Sequence, residues 1–272
     1  MKKIGISLAI ITIIVFSFFI YSTQILRYSI VVKETFVTSP TIPNTFDGAR
    51  IIQFSDILIE SETDLKILER AVEEINSLNA DIVVFTGNLF KEAGFTPFLR
   101  SEVETLLTNI EASLGKIAVL GQEDLLQEES IANLLTDSSF HVLRNDSIQL
   151  YNGSINGLTF IGVNSLITDP NLASLLENHS NPDSFNILLI HEPTRAAMTT
   201  DYPIEVQLSG YCRGVNLPME EINSSYCNQF YQGTYRFADH LLLNVNTSLK
   251  PPSHPITLLN RPTIDSFLLI RE

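Results

Sequence analysis

Cysteine is scarce in this chain. Of 272 residues only Cys212 and Cys227 carry sulfur thiols, and they do not form a Cys-x-x-Cys pair. A zinc site built on thiolates is thereby excluded, because structural zinc takes four ligands in closely spaced pairs. Two readings of the pair stay open: a bridge across a short loop in an oxidising compartment, or two separate thiols. Basic residues are also few, with 17 Lys and Arg against 31 Asp and Glu. No acid precedes Glu34, so from residue 28 onward 31 acids face 14 bases, the 17 less Lys2, Lys3 and Arg27. That part carries a formal charge near −17. Such a surface repels phosphate backbones and excludes nucleic acid as a partner. Absent too are a Gly-rich phosphate loop, a Gly-x-Ser-x-Gly nucleophile elbow, internal repeats and low-complexity tracts.

What is present begins with an uninterrupted apolar run. From Ile4 to Gln24 there is no charged residue, about the length of the roughly 20 apolar residues that cross a bilayer as a helix. Lys2 and Lys3 precede it and favour a cytoplasmic N-terminus. No small-x-small cleavage site follows, so an uncleaved anchor over residues 1–27 is favoured over a removed signal peptide. Residues 28–44, with Pro40 and Pro43, suit a spacer or an edge strand. Hydrophobic residues make up 44% of the chain, enough for a globular domain over residues 45–272.

Within that domain apolar strands alternate with helical periods. ARIIQFSDI, DIVVFTGNLF and KIAVLGQED read as buried strands. Between and after them, residues 63–78, 97–113 and 126–136 carry apolar residues at helical spacing, with Ser61 and Glu62 as helix-start chemistry. The second half offers a hairpin with Asn152-Gly153 and Asn156-Gly157 turn signals, a short helix over 172–178, and the strands FNILLIHEP, HLLLNVN and DSFLLIRE. Continuous apolar strands alternating with helices indicate an α/β sheet buried on both faces.

Four of these strands end in polar clusters: Ser55-Asp56, Gly87-Asn88, Gly121-Gln122-Glu123-Asp124 and His191-Glu192-Pro193. Ligands of α/β sheets gather at the carboxyl ends of strands, so the four tips converge on one crevice. A fifth stretch, Ser209-Gly210-Tyr211-Cys212-Arg213-Gly214, follows the strand-like Val206-Gln207-Leu208. His141, His179, His240 and His254 lie away from the tips and read as surface or structural.

In this order the tips resemble the calcineurin-like metallophosphoesterases, in particular their membrane-anchored bacterial phosphodiesterase branch, from about Thr41 to the end of the chain. The resemblance implies a four-layer α/β/β/α sandwich behind one transmembrane helix. It also implies two divalent metals (Mn, Fe or Zn) held by Asp-x-His, Gly-Asp, Gly-Asn-His-Asp, an isolated His and Gly-His-x-His. Mapped onto those motifs, Asp56, Asp124 and His191 match. Leu58 stands for a histidine, Asn88 for the bridging aspartate, and Gln122 and Glu123 for the Asn-His pair. Tyr211 and Arg213 stand for the last two histidines. Leu58 has no lone pair, Asn88 removes a bridging charge, and the guanidinium of Arg213 does not deprotonate.

The sequence therefore implies a membrane-anchored homologue that has lost most metal ligands and acts by binding an unidentified protein or small molecule. Such a pseudophosphoesterase needs no cofactor. The alternative is an active hydrolase of phosphoesters, on a lipid-linked substrate for instance, with Asp56, Glu123 and His191 as a sparse single-ion site. Arg213 either pairs with Asp56 in place of a cation or points to solvent. The expected location is the cell membrane, single-pass, with the domain on the extracytoplasmic side.

Overall fold

In the computed structural model, which describes residues 2–21, 28–168, 171–212, 227, 230–238, 240–250 and 261–272, the apolar runs become two six-stranded sheets. In chain order the elements are helix α1 (Lys2–Ile20), strands β1 (Val31–Ser39) and β2 (Arg50–Phe54), α2 (Glu62–Ser77), β3 (Ile82–Phe85), α3 (Pro97–Thr108) and β4 (Gly115–Ala118). There follow α4 (Glu128–Asp137), β5 (Phe140–Val142), β6 (Asp146–Tyr151), β7 (Gly157–Val163), α5 (Leu172–His179) and β8 (Phe185–Ile190). The last are α6 (Ala196–Thr199), β9 (Val206–Ser209), β10 (Gly233–Phe237), β11 (Leu241–Val245) and β12 (Thr263–Arg271). The first sheet runs β1-β12-β2-β3-β4-β5 and the second β10-β11-β9-β8-β7-β6.

Strand alternation sorts side chains between layers. In β2, Ile51 enters the core between the sheets, where it joins Ile82, Val84, Phe160, Ile187 and Leu208. Ile52 and Phe54 point the other way and pack with Leu68, Val72, Leu99, Val103, Ile131 and Leu135 of α2, α3 and α4. On the far side Ile161, Val163, Leu188 and Ile190 pack on Leu172, Leu175 and Leu176 of α5. The layers are thus helices, sheet, sheet, helices, and β2, β3, β7 and β8 are buried on both faces because each lies between two of these cores.

Local chemistry sets the helix bounds. Asp64 Oδ2 reaches back to the Ser61 N–H at 3.0 Å, opening α2 where the sequence places it. Pro97 stands at the first turn of α3, whose leading N–H groups include that of Leu99, bonded to Thr96 Oγ1 at 3.3 Å. The helix expected to run to residue 113 stops at Thr108, because Ser113 and Leu114 donate their N–H groups to Ala80 and Asp81 and carry the chain into β4. Lys116 Nζ is buried against the end of α3 and donates to Leu107 O at 3.1 Å, a last-turn carbonyl that also accepts the Ile110 N–H at 3.2 Å. Burial pushes its pKa down.

Three further expectations are settled or revised. The stretch 28–44 supplies an edge strand, β1, paired in parallel with β12 from Val31↔Thr263 to Ser39↔Arg271. The helix expected over 126–136 begins as a 3-10 turn at Asp124–Gln127, with the α-helix starting at Glu128. Strand β10, with alternating half-buried and exposed positions, was not legible as a strand. Cys212 and Cys227 are bonded, with Cα atoms 5.6 Å apart. In α1 the described side chains start at Ile10, and all from there to Ile20 are exposed. Among the described residues no helix is long and apolar enough to cross a membrane.

Candidate functional site

The strand tips meet at one end of the sandwich, where the backbone takes unusual turns. Asp56, Leu58, Asn88 and Tyr211 all have positive φ, at 51°, 51°, 64° and 70°. Asn tolerates this region, whereas Leu and Tyr pay a steric penalty of about 1–2 kcal/mol there. The turns are held by cross-strand bonds: Asp56 N–H to Gly87 O at 2.9 Å, Leu58 N–H to Asn88 O at 3.1 Å, and Gly210 N–H to His191 O at 2.9 Å. Gly121 and Gly210 are required by close approach. A Cβ on Gly121 would collide with Asn88 Oδ1 and stand 2.8 Å from its Cγ. One on Gly210 would stand 2.8 Å from Asp56 Oδ2.

Asn88 lies at the centre of the crevice. Its amide Nδ2 donates to Asp56 Oδ1 at 2.9 Å, and its Oδ1 accepts the Glu123 N–H at 3.0 Å. Asp56 is fully buried, and its Oδ2 accepts the Ser55 hydroxyl and the Tyr211 N–H, each at 3.0 Å. A neutral amide thus joins the β2 tip to the β4 tip, directing an N–H at Asp56 and offering no charge. Asp124 faces away from this junction. Its carboxylate accepts the backbone N–H of Asn88 at 2.6 Å, of Leu89 at 2.8 Å and of Gly121 at 2.9 Å, tying the β3 and β4 tips together. Burial pushes its carboxyl up to about 6, and the three donors oppose the shift.

His191 is fully buried beyond the end of β8. Its Nδ1 bonds the carbonyl of Thr86; a carbonyl only accepts, so Nδ1 carries the proton. Among the described residues Nε2 has no hydrogen-bond partner, and it lies 3.8 Å from Asp56 Oδ1. The neighbouring Glu192 turns away, accepting from Ser165 Oγ and from the Leu166 N–H at 2.8 Å. The Tyr211 ring meets the His191 ring edge-on at 5.7 Å. Glu123 is directed to Lys91, with Oε1 2.5 Å from Nζ. Leu58 is fully buried, with its side chain offering only carbon. The Gln122 Oε1 is buried without a partner among the described residues.

Asp56, Asn88, Glu123, Asp124, His191 and Tyr211 are therefore brought together by direct contacts. Arg213, and with it the pairing expected with Asp56, lies outside the described residues, as does His254. His179 bonds Ser147 Oγ at 2.9 Å away from the crevice, while His141 and His240 are exposed. Among the described residues no three His, Cys, Asp or Glu side chains are grouped to hold a metal ion.

Sequence reasoning overlooked a sixth wall. Ser248 Oγ donates to Asp56 O at 2.8 Å, and Lys250 Nζ reaches Leu58 O at 3.0 Å and Asp64 Oδ1 at 2.7 Å. These residues follow β11, and the rule that located the other tips, polar residues after an apolar strand, applies equally to HLLLNVNTSLK.

No family profile matches the chain. Among individual proteins, it is 30% identical over 257 residues to the uncharacterized metallophosphoesterase YkuE of Bacillus subtilis, covering 92% of this chain and 88% of that one. It is 25% identical over 84% of its length to a Danio rerio transmembrane protein with a metallophosphoesterase domain, of which it spans 54%. A similar 25% identity over 67% of the chain links it to the UDP-2,3-diacylglucosamine pyrophosphatase LpxG of Chlamydia trachomatis. A dimetal phosphatase from Danio rerio shares the fold, with a TM-score of 0.50 and 9% identity over 77% of this chain and 90% of that one. Strand tips, layers and near full-length similarity agree, and the chain belongs to the metallophosphoesterase family.

Proposed function

We propose that this chain is a non-catalytic metallophosphoesterase homologue that acts through binding, anchored to the cell membrane by its N-terminal helix. The observation that carries this reading is the Asn88 amide, which donates to Asp56 and accepts from the Glu123 N–H. Two divalent ions bring four positive charges and need bridging lone pairs. Here the bridging position directs an N–H at Asp56, its oxygen is engaged, and the adjacent ligand position is the apolar Leu58. The donor set does not fit a binuclear centre, and no reaction step is derived through one.

Residues of the crevice still hold one another in place. Asp56 and Asp124 fix the strand tips through backbone N–H groups, and Lys91 neutralises Glu123 at the rim. The Cys212–Cys227 bond supports an oxidising compartment, and hence a domain on the extracytoplasmic side. The apolar run of α1 behind Lys2 and Lys3 supports the anchor.

One observation favours a second reading. His191 Nε2 is buried and has no hydrogen-bond partner among the described residues, as a ligand atom awaiting a single ion would. In that case the chain is a hydrolase with one metal, acting on a phosphoester such as the lipid-linked class named for the LpxG relative.

Metal analysis of the purified protein, together with turnover of a generic phosphodiester with manganese supplied, separates the two. The binding reading expects no stoichiometric metal and no turnover above a heat-treated control. Bound metal in stoichiometric amount with an activity abolished by Asp56→Ala would defeat it.

A further inference from the structure

The connection between the apolar helix and the domain joins at the crevice end. Strand β1 starts at Val31, whose N–H donates to Pro262 O at 2.8 Å, and pairs with Thr263. Thr263 in turn donates to Ser248 O, and Ser248 Oγ donates to the carbonyl of Asp56 at 2.8 Å. Just upstream the chain is pinned. Arg70 bonds Tyr28 O at 3.1 Å with its guanidinium over the Tyr28 ring, and Arg261 Nε bonds Ser29 O at 3.2 Å. From Tyr21, at the end of the apolar helix, to the pinned Tyr28 is a step of seven residues, which reaches at most about 25 Å when fully extended. A bilayer that takes up α1 is therefore held close to the crevice end.

That same end carries exposed apolar side chains. Phe98 opens α3 after the β3 tip, Leu126 lies in the 3-10 turn after the β4 tip, and Met198 lies in α6 after the β8 tip. They are 54%, 61% and 49% exposed. Three separate connections, each following a strand that supplies a crevice residue, thus present a large apolar group outward. Towards the opposite end the comparable side chains among the described residues are Tyr151 and Ile155 of one hairpin and Phe36 of the edge strand β1, which is level with Arg50 at the start of β2.

We infer that the crevice face lies on the bilayer that anchors α1, with Phe98, Leu126 and Met198 inserted among the headgroups. This docking rests on the proposed membrane anchor. Its occupant is a zwitterionic lipid surface, since the formal charge near −17 of the domain opposes an anionic one. The ligand of the crevice then arrives from the membrane plane.

The chain contains no tryptophan, so a single introduced indole reports its own depth. Full-length Phe98→Trp, Leu126→Trp, Met198→Trp and Ile155→Trp variants are reconstituted in phosphatidylcholine vesicles with or without bromine on the acyl chains. Insertion of about 5–10 Å, the depth of interfacial side chains, brings about twofold or greater quenching at positions 98, 126 and 198 and none at 155. Protein that floats with the vesicles but shows no quenching at the three sites, or equal quenching at 155, overturns the docking while leaving the anchor intact. Protein that does not float with vesicles overturns both. Because all four positions are exposed, far-ultraviolet circular dichroism is expected to match the parent, and for a variant that differs the parent chain is crosslinked to a photoactivatable phosphatidylcholine and the labelled residue located by mass spectrometry.

Discussion

Asn88→Asp is the perturbation that bears most directly on the crevice. Asparagine and aspartate have the same shape and both accept a left-handed backbone, so the φ of 64° is not disturbed. What changes is the contact with Asp56 Oδ1, now an N–H donor at 2.9 Å. The variant sets a second carboxylate there, in a position without solvent, since both residues are fully buried. Two like charges about 4 Å apart repel by about 4 kcal/mol at an effective permittivity of about 20, and the lost hydrogen bond adds about 1 kcal/mol. That sum is a large part of the roughly 5–15 kcal/mol by which a domain is stable. A shared proton relieves the repulsion, raising the folded-state pKa of the pair above its unfolded value. The deficit is therefore greatest at pH 7.5 and shrinks as pH falls towards 5. A divalent cation relieves it as well, so manganese stabilises the variant while leaving the parent unchanged. Urea denaturation in chelator, then in manganese, at the two pH values measures all of this. A variant as stable as the parent at pH 7.5 in chelator would refute the role given to the Asn88 amide.

Glu205 provides a pH test away from the crevice. Burial pushes its carboxyl up to about 7, against bonds from the Asn186 N–H at 2.7 Å and Thr41 Oγ1 at 3.2 Å. The folded form holds the proton more tightly, so its stabilising contribution is present below about pH 4.5 and lost as pH rises through 7, by up to about 3 kcal/mol. Glu205→Gln should flatten that slope in urea denaturation at pH 5 and 8. Asp124, raised in the same direction, persists in both proteins, so parallel slopes would show that Glu205 contributes none. Cys212→Ser with Cys227→Ser removes a bond between positions 15 residues apart, worth about 3 kcal/mol by loop entropy. The double variant should melt several degrees lower, and an unchanged melting temperature would show the bond to be energetically idle.

Strand and helix order was legible because it is written in period. Ile51, Ile52 and Phe54 must lie on opposite faces of one strand, and the helical spacing of Leu68, Val72 and Ile75 leaves one buried stripe. The tip residues were legible for the same reason, since polar groups after apolar strands mark the sheet edge. Strand β10 was not, because its alternation of half-buried and exposed positions spans only five residues and buries none of them fully. The 3-10 turn at Asp124–Gln127 was likewise hidden, since Asp124 is drawn inward to the backbone N–H groups of Asn88 and Leu89 on the β3 tip as well as to that of Gly121 on its own. From sequence alone, the family resemblance implied that Leu58, Asn88 and Tyr211 stand where metal ligands are expected. Only the tertiary structure decided what the side chains at those positions do. Whether the Asn88 amide spans two tips, whether Cys212 meets Cys227, and at which end the N-terminal apolar helix joins depend on contacts between residues far apart in the chain. Side-chain period fixes which face a residue occupies; distance and direction across the sandwich come only from packing the layers together.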